Sequence, residues 1–102
     1  MLVVMYTRRV KPELQSEFRR VWRNRTEKIA ELRGSYGSML LQDSEDVYSA
    51  IALWPSREAW EALEPALPDD DHDAAIWAAS IIERCPPRTM TCVDNLWRTN
   101  RE

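Results

Sequence analysis

Apolar residues are arranged along the chain in two ways, as short runs and as one long stretch with helical spacing. Short runs rich in β-branched and other apolar residues are typical of strands. Such runs predict strands at residues 2–9, 36–42, 47–54 and 88–97. The short polar segment 43–46 (DSED) predicts that the second and third strands form an antiparallel hairpin.

The long stretch, from Glu13 to Arg33, predicts an amphipathic helix, because its apolar positions recur mostly at intervals of three, four or seven residues. These positions are Leu14, Phe18, Val21, Trp22, Ile29 and Leu32. Pro12 suits the first turn of a helix, and Gly34 is expected to end this one.

A shorter helix is predicted after the third strand. Ser56 is a natural N-cap for a helix that reaches about Leu63. Pro65 and Pro68 are expected to break it, because proline lacks the backbone N–H that a helix interior needs.

Another helix is predicted at about residues 72–84. The aspartates at 69–71 can cap its start, and the pair Pro86-Pro87 is expected to end it before the last strand. The polar tail, residues 98–102, is expected to fray.

The predicted elements follow the order strand, helix, strand, strand, broken helix, strand. This order is typical of the ferredoxin-like split βαβ fold. We therefore predict one α+β domain over residues 1–102, in which a four-stranded antiparallel sheet carries its helices on one face.

The predicted strands are apolar on both faces. Consecutive apolar residues occur at 3–5 (VVM), 39–41 (MLL) and 51–53 (IAL), whereas a sheet with one face in water alternates apolar and polar residues. Because two helices cover only one face, we predict a homodimer in which a second copy of the sheet covers the other. The alternative is a monomer whose open face is an apolar groove for a ligand.

Composition excludes several classes of protein. The net charge of −3 gives no electrostatic basis for nucleic-acid binding. The arginines at 19, 20, 23 and 25 are interleaved with Glu17 and Glu27, which indicates a solvated helix face, with phosphate binding as the minor alternative. No run approaches the roughly 20 apolar residues of a membrane span, so no membrane partner is expected. Cys85 and Cys92 lack metal-ligand spacing, and we expect reduced thiols in a cytoplasmic protein.

Several segments together resemble the antibiotic biosynthesis monooxygenase (ABM) family. They are residues 4–12 (VMYTRRVKP), Phe18 with Trp22, residues 36–38 (YGS) and residues 54–60 (WPSREAW). The resemblance covers nearly the whole chain. It implies a dimeric α+β barrel, with a pocket between the sheet and the helices of each subunit. It also implies a cofactor-independent monooxygenase that acts on a small aromatic substrate of quinol or phenol type, with no cofactor and no metal.

The same resemblance leaves other functions open. The main alternative is a non-catalytic ligand-binding or stress-response homodimer. Haem-degrading relatives use an asparagine near the end of the first strand and a tryptophan in the second helix. Thr7 and Leu63 occupy these positions here, which disfavours haem degradation.

Oxidation of a phenol without a cofactor is helped by a general base and needs a group that stabilises the oxyanion. The resemblance implies His72 as the candidate base, because many relatives carry a histidine after the short second helix. The neighbouring aspartates favour its protonated form, and an exposed position in a first helical turn is the alternative. Arg8 is the candidate oxyanion partner, and a surface charge at the strand end is the alternative.

Substrate binding needs an apolar, aromatic-lined pocket. Trp54 and Trp60 are candidates for its walls. Tyr6 and Tyr36 can donate a hydrogen bond to a substrate oxygen. Asn95 can form a hydrogen bond with a ligand or take part in the contact between the two subunits. For each of the aromatic residues the alternative is ordinary packing.

Overall fold

An antiparallel sheet organises residues 1–62 and 70–98, the part of the chain that the computed structural model describes. Its strands are β1 (Leu2–Val10), β2 (Gly37–Ser44), β3 (Val47–Trp54), β4 (Ile81–Arg84) and β5 (Arg88–Thr91). They lie in the order β2-β3-β1-β4, and β5 also pairs with β1. This arrangement confirms the predicted α+β class and the ferredoxin-like antiparallel sheet.

The helices are α1 (Gln15–Arg33), α2 (Arg57–Glu61) and α3 (Asp71–Ser80), and a 3₁₀ turn, Pro12–Leu14, precedes α1. Gly34 ends α1 with a φ of 80°, a left-handed conformation that glycine adopts without steric cost. The Ser56 hydroxyl accepts from the Ala59 N–H at 3.1 Å, so it caps α2 as predicted. Within the described residues, no helix is long and apolar enough to cross a membrane.

One face of the sheet forms the core with the helices. The register of β1 and β3 sets the helix-facing residues opposite one another, with Leu2 across from Trp54 and Arg8 across from Tyr48. A first buried cluster consists of Leu2, Val4, Ala52 and Trp54. A second consists of Val10, Phe18 and Tyr48, against which Trp77 of α3 packs. The alternate positions of the strands therefore face away from the helices.

That other face is also apolar, as the sequence predicts. The register places Val3 opposite Leu53 and Met5 opposite Ile51 on this face. Met39, Leu41 and Met90 expose 41%, 41% and 38% of their surfaces. We call this surface the open face.

The structure corrects the predicted helix at residues 72–84. The helix ends at Ser80, and Ile81–Arg84 is strand β4. Two β-branched residues, Ile81 and Ile82, favour the extended backbone. The Lys11 N–H donates to the Ser80 carbonyl at 2.8 Å, which fixes the end of α3 beside the end of β1.

The predicted fourth strand, residues 88–97, is also corrected, because β5 ends at Thr91. Together β4 and β5 occupy the fourth position of the sheet, β4 beside the end of β1 and β5 beside its start. Pro86 and Pro87 separate them. Proline has no N–H to donate to a ladder, so these residues break a strand rather than end a helix.

A buried carboxylate joins α1 to α3. Asp73 is 5% exposed and accepts from Arg20 Nη1 at 3.1 Å and from Asn24 Nδ2 at 3.3 Å. The hydrogen bond from Asn24 lowers the pKa of Asp73 most; Arg20 also lowers it, and burial opposes both. The Asp70 carboxylate accepts from the Asp73 N–H at 2.7 Å and caps α3.

Some predicted features lie outside the described residues. They are the end of the short helix at Leu63, the helix breakers Pro65 and Pro68, the capping role of Asp69, and the fraying of residues 99–102.

Candidate functional site

A cavity of about 130 Å³ lies between the helix-facing side of the sheet and helices α1 and α3. Its aromatic lining residues are Tyr6, Trp22, Trp54 and Trp77. Its charged lining residues are Arg8 and Arg25. Small side chains of β2 and β3 form its floor, namely Ser38, Ala50 and Ala52. The cavity exists because these strands carry small residues where large ones would fill the core.

Arg8 points from β1 into this space. Its guanidinium carbon lies 5.1 Å from the centre of the Tyr6 ring and 5.2 Å from that of Trp77, within the range of cation–π attraction. Its Nε atom is buried and has no hydrogen-bond partner among the described residues. Burial, together with smaller contributions from Arg84 and Arg25, lowers the pKa of Arg8 to about 10, and Tyr6 opposes this shift. Arg8 is therefore a charged, partly buried side chain whose Nε–H has no acceptor among the described residues.

Tyr6 connects the cavity to α2. Its hydroxyl oxygen accepts a hydrogen bond from Trp60 Nε1 at 2.8 Å. Trp60 is half-buried and packs against the first core cluster, behind Tyr6. Of these two predicted substrate-binding residues, Tyr6 lines the cavity, and Trp60 orients Tyr6 from outside the lining.

Trp54 ends β3 and lines the cavity, and only 1% of its surface is exposed. Its Nε1–H is buried and, among the described residues, has no acceptor. A buried donor without a partner costs roughly 1–3 kcal/mol. Two such donors, Arg8 Nε and Trp54 Nε1, belong to residues that line the same cavity.

Among the lining residues that sequence reasoning missed as site residues are Trp22, Arg25 and Trp77. The guanidinium carbon of Arg25 lies 4.7 Å from the centre of the Trp77 ring, so Arg25 is not part of a solvated face. The spacing of residues along α1 could have identified Arg25 as a site residue. Arg25 follows Trp22 by three residues and precedes Ile29 by four, which puts it on the buried stripe of α1.

His72, the candidate base, lies elsewhere. Its side chain is exposed in the first turn of α3, and it is not among the described residues that line the cavity. The cavity geometry therefore gives the predicted catalytic role of His72 no support.

Tyr36 and Asn95 lie on the opposite side of the sheet from the cavity. Both line a groove of about 610 Å³ on the open face, together with Trp97 of the C-terminal segment. Tyr36 is 63% exposed, and Asn95 is exposed and accepts from the Trp97 N–H at 2.8 Å. Asn95 lies outside the strand predicted for it, because β5 ends at Thr91.

Within residues 1–62 and 70–98, no three His, Cys, Asp or Glu side chains lie close enough together to hold a metal ion. The lining residues that the structure describes include no carboxylate, imidazole or thiol. The site therefore offers hydrogen-bond donors, a positive charge and aromatic surface.

Solved structures with this fold agree with the architecture. The most relevant is SnoaB from Streptomyces nogalater, a cofactor-independent oxygenase, with a TM-score of 0.70 and 21% identity over 93% of this chain and 95% of that one. An ABM-type protein from Caulobacter crescentus gives a TM-score of 0.74 and 19% identity, over 91% and 90% of the two chains. One from Deinococcus radiodurans gives 0.73 and 12%, over 98% and 100%. At these identities the likeness shows the fold.

Comparison of the sequence, rather than of the structure, identifies the family. No functionally curated protein matches it significantly. The sequence profile of the antibiotic biosynthesis monooxygenases matches residues 1–64, more than half of the chain. The chain belongs to the antibiotic biosynthesis monooxygenase family.

Proposed function

We propose that the protein is a cofactor-independent monooxygenase that oxidises a small aromatic substrate in the cavity between the sheet and the helices. The observation that carries the proposal is that two residues lining an aromatic cavity hold buried donors, Arg8 Nε and Trp54 Nε1, for which the described part of the chain provides no acceptor. Family membership and the likeness to the oxygenase SnoaB support it.

The oxidation of a phenol by O₂ determines which roles the lining residues must fill. A phenol and O₂ give a quinone and water, so one oxygen atom enters the ring and the other leaves as water. The phenol must lose its proton before it can reduce O₂. A fixed cation stabilises the phenolate, because charge in a site of low dielectric interacts strongly. Arg8 supplies that cation, and the rings of Tyr6 and Trp54 hold the substrate.

Oxygen consumption with a panel of quinols and phenols tests this proposal. The wild type is expected to consume oxygen with at least one of them. Arg8→Met is expected to lower kcat about 100-fold, which is typical when one oxyanion-stabilising group is removed. Arg23→Met, an exposed arginine of α1, and His72→Ala are the controls that should keep full activity. Equal rates for Arg8→Met and the wild type would overturn the assignment of Arg8.

A second candidate function is ligand binding without turnover. The observation that favours it is the cavity lining, in which the described residues include no side chain that can act as a base near neutral pH. Under this alternative, aromatic ligands bind the wild type, and no quinol or phenol in the panel is consumed.

We also propose that two copies of the chain pair through the open face. The proposal is supported by the half-exposed side chains of Met39, Leu41 and Met90, since a contiguous apolar surface is unusual on a monomer. Each cavity lies on the helix side, so both sites stay within their own subunits. Sedimentation equilibrium should give a dimer at micromolar concentration, and a monomer would contradict the proposal.

The unpaired state of Cys85 and Cys92 supports our further proposal that the protein works in the reducing cytoplasm. Fractionation of cells that express the tagged protein tests it, and recovery with secreted proteins would contradict it.

A further inference from the structure

We propose that the ligand of the cavity is an aromatic carboxylate with a single ring, whose carboxylate pairs with Arg8 and whose ring lies among Tyr6, Trp54 and Trp77. This inference rests on the proposed function, because it names the substrate of the same cavity as a phenol that also carries a carboxylate; the guanidinium of Arg8 has N–H donors for both groups. Three properties of the site lead to it: its size, its charge and the hydrogen-bonding geometry of Arg8.

The size of the cavity favours a ligand with a single aromatic ring. Its volume is about 130 Å³. A cavity of roughly 150 Å³ in another protein holds a benzene molecule. A second fused ring would extend beyond this volume and leave part of its apolar surface in water. The cavity therefore favours benzoate-sized molecules over polycyclic ones.

The charge of the cavity selects an anion. The guanidinium of Arg8 lines it. A further arginine, Arg84 of β4, pairs directly opposite Arg8 across the sheet. Like charges at directly opposite positions destabilise a sheet, and a bound anion would relieve this repulsion. A cationic ligand such as an amine would add to it.

The guanidinium of Arg8 selects a carboxylate among the anions, because its Nε–H has no acceptor among the described residues. A carboxylate offers two oxygens with about four lone-pair sites and pairs with arginine through two parallel hydrogen bonds. A neutral hydrocarbon would fill the space and leave Arg8 without an acceptor. The aromatic walls in turn favour a ring over a free inorganic anion.

Isothermal calorimetry with three benzene derivatives tests the charge requirement directly. Benzoate is expected to bind the wild type roughly 10- to 100-fold more tightly than benzyl alcohol, since a hydrogen bond to a charged group contributes more than a neutral one. Benzylamine is expected not to bind. Equal affinity for benzoate and benzyl alcohol would overturn the proposal.

Two further ligands test whether the site prefers one ring to two fused rings and a carboxylate to a phenolate. 2-Naphthoate is expected to bind more weakly than benzoate, and tighter binding would overturn the single-ring assignment. 4-Nitrophenolate carries its charge on one phenolic oxygen. It should also bind more weakly, and tighter binding would show that the site prefers a phenolate to a carboxylate.

Variants of Arg8 connect the binding to this residue. Arg8→Met is expected to lose the preference for benzoate over benzyl alcohol. Arg8→Lys keeps the charge without the planar fork and should retain part of it. Arg23→Met is the matched control that should bind like the wild type. Benzoate binding that survives both substitutions at Arg8 would contradict the proposal, and circular dichroism checks that each variant is folded.

The outcomes for this inference and for the proposed function are separable. Benzoate binding through Arg8 with no oxygen consumption by any substrate would overturn the monooxygenase proposal alone. Oxygen consumption with neutral or polycyclic phenols, without a preference for benzoate, would overturn the carboxylate proposal alone.

Discussion

At the scale of single residues, Arg8 is held in surroundings that disfavour its charge. Burial and the neighbouring arginines lower its pKa to about 10, and it stays ionised at neutral pH. Groups that are costly in the folded state without a ligand are typical of binding sites, where function opposes stability. The same reasoning applies to the unpartnered Nε1–H of Trp54.

We therefore expect Arg8→Met to stabilise the unliganded protein. The substitution removes a partly buried charge, and the apolar side chain keeps much of the contact with Tyr6 and Trp77. The free energy of unfolding should rise by about 1 kcal/mol, because the relief of charge burial exceeds the lost cation–π attraction. Urea denaturation measures this change. Arg23→Met should change stability by less than about 0.5 kcal/mol, and a marked loss in Arg8→Met would contradict the prediction.

Tyr6→Phe should have the opposite effect. It removes the oxygen that accepts from Trp60 Nε1 and leaves that donor unpartnered at the back of the cavity. The expected loss is about 1–2 kcal/mol in the free energy of unfolding. Tyr36→Phe is the matched control, since Tyr36 is 63% exposed and should tolerate the change. Equal effects of the two substitutions would show that the Tyr6–Trp60 bond contributes nothing.

The depressed pKa of Asp73 predicts a dependence of stability on pH. Its folded pKa lies below the ordinary carboxyl value, so its contribution is complete above about pH 4 and is lost as the pH falls through the folded pKa. Asp73→Asn cannot titrate. In denaturation series below about pH 4, the wild type should lose its stability advantage over this variant. An advantage that stays constant with pH would contradict the assignment.

The candidate site was only partly predictable from the sequence at this scale. Arg8, Tyr6 and Trp54 were identified and do line the cavity. Trp77 and Arg25 were not identified as site residues, because their contact depends on how α3 packs against α1. That packing rests on a long-range bond, between Arg20 and Asp73, which local patterns do not encode.

At the scale of elements, β3 and α1 were predicted well because each has a regular period and a clear stop signal. The change from α3 to β4 was missed because Ile81-Ile82 suits either a buried helix or a strand. The choice is made by pairing with the end of β1, a partner more than 70 residues earlier in the chain.

The short helix α2 depends strongly on its cap. It spans only Arg57–Glu61, and the Ser56 hydroxyl satisfies the Ala59 N–H. Ser56→Ala should therefore cost about 1 kcal/mol in the free energy of unfolding. It should also weaken benzoate binding, because α2 carries the Trp60 that orients Tyr6. Ser16→Ala, an exposed serine of α1, is the control and should leave both measurements unchanged.

At the scale of the whole molecule, the open face and the cavity lie on opposite sides of one sheet. Ile51 faces outward and Ala50 lines the cavity, because successive strand residues point to opposite faces. Assembly and binding therefore use different side chains of the same strands. The order of the elements along the chain predicted that the pocket lies on the helix side and the dimer contact on the other side. That a second copy covers the open face remains a proposal.

Ile51→Asp should convert the proposed dimer to a monomer. A charge in the middle of a paired apolar face would be buried without a partner. Sedimentation equilibrium should give the dimer mass for the wild type and for Ala78→Asp, an exposed position of α3, and the monomer mass for Ile51→Asp. A dimer in all of these proteins would place the interface elsewhere.

The central claim is that the ligand site is the cavity on the helix side of the sheet. The five tryptophans of the chain test it in one measurement, because each indole N–H gives a separate signal in a ¹⁵N-correlated NMR spectrum. Trp54 lines the cavity, and Trp97 lines the groove on the open face. On titration with benzoate, the Trp54 indole signal should shift because the ligand's ring changes its surroundings, while the Trp97 signal stays in place. A shift of Trp97 with Trp54 unchanged would contradict the claim.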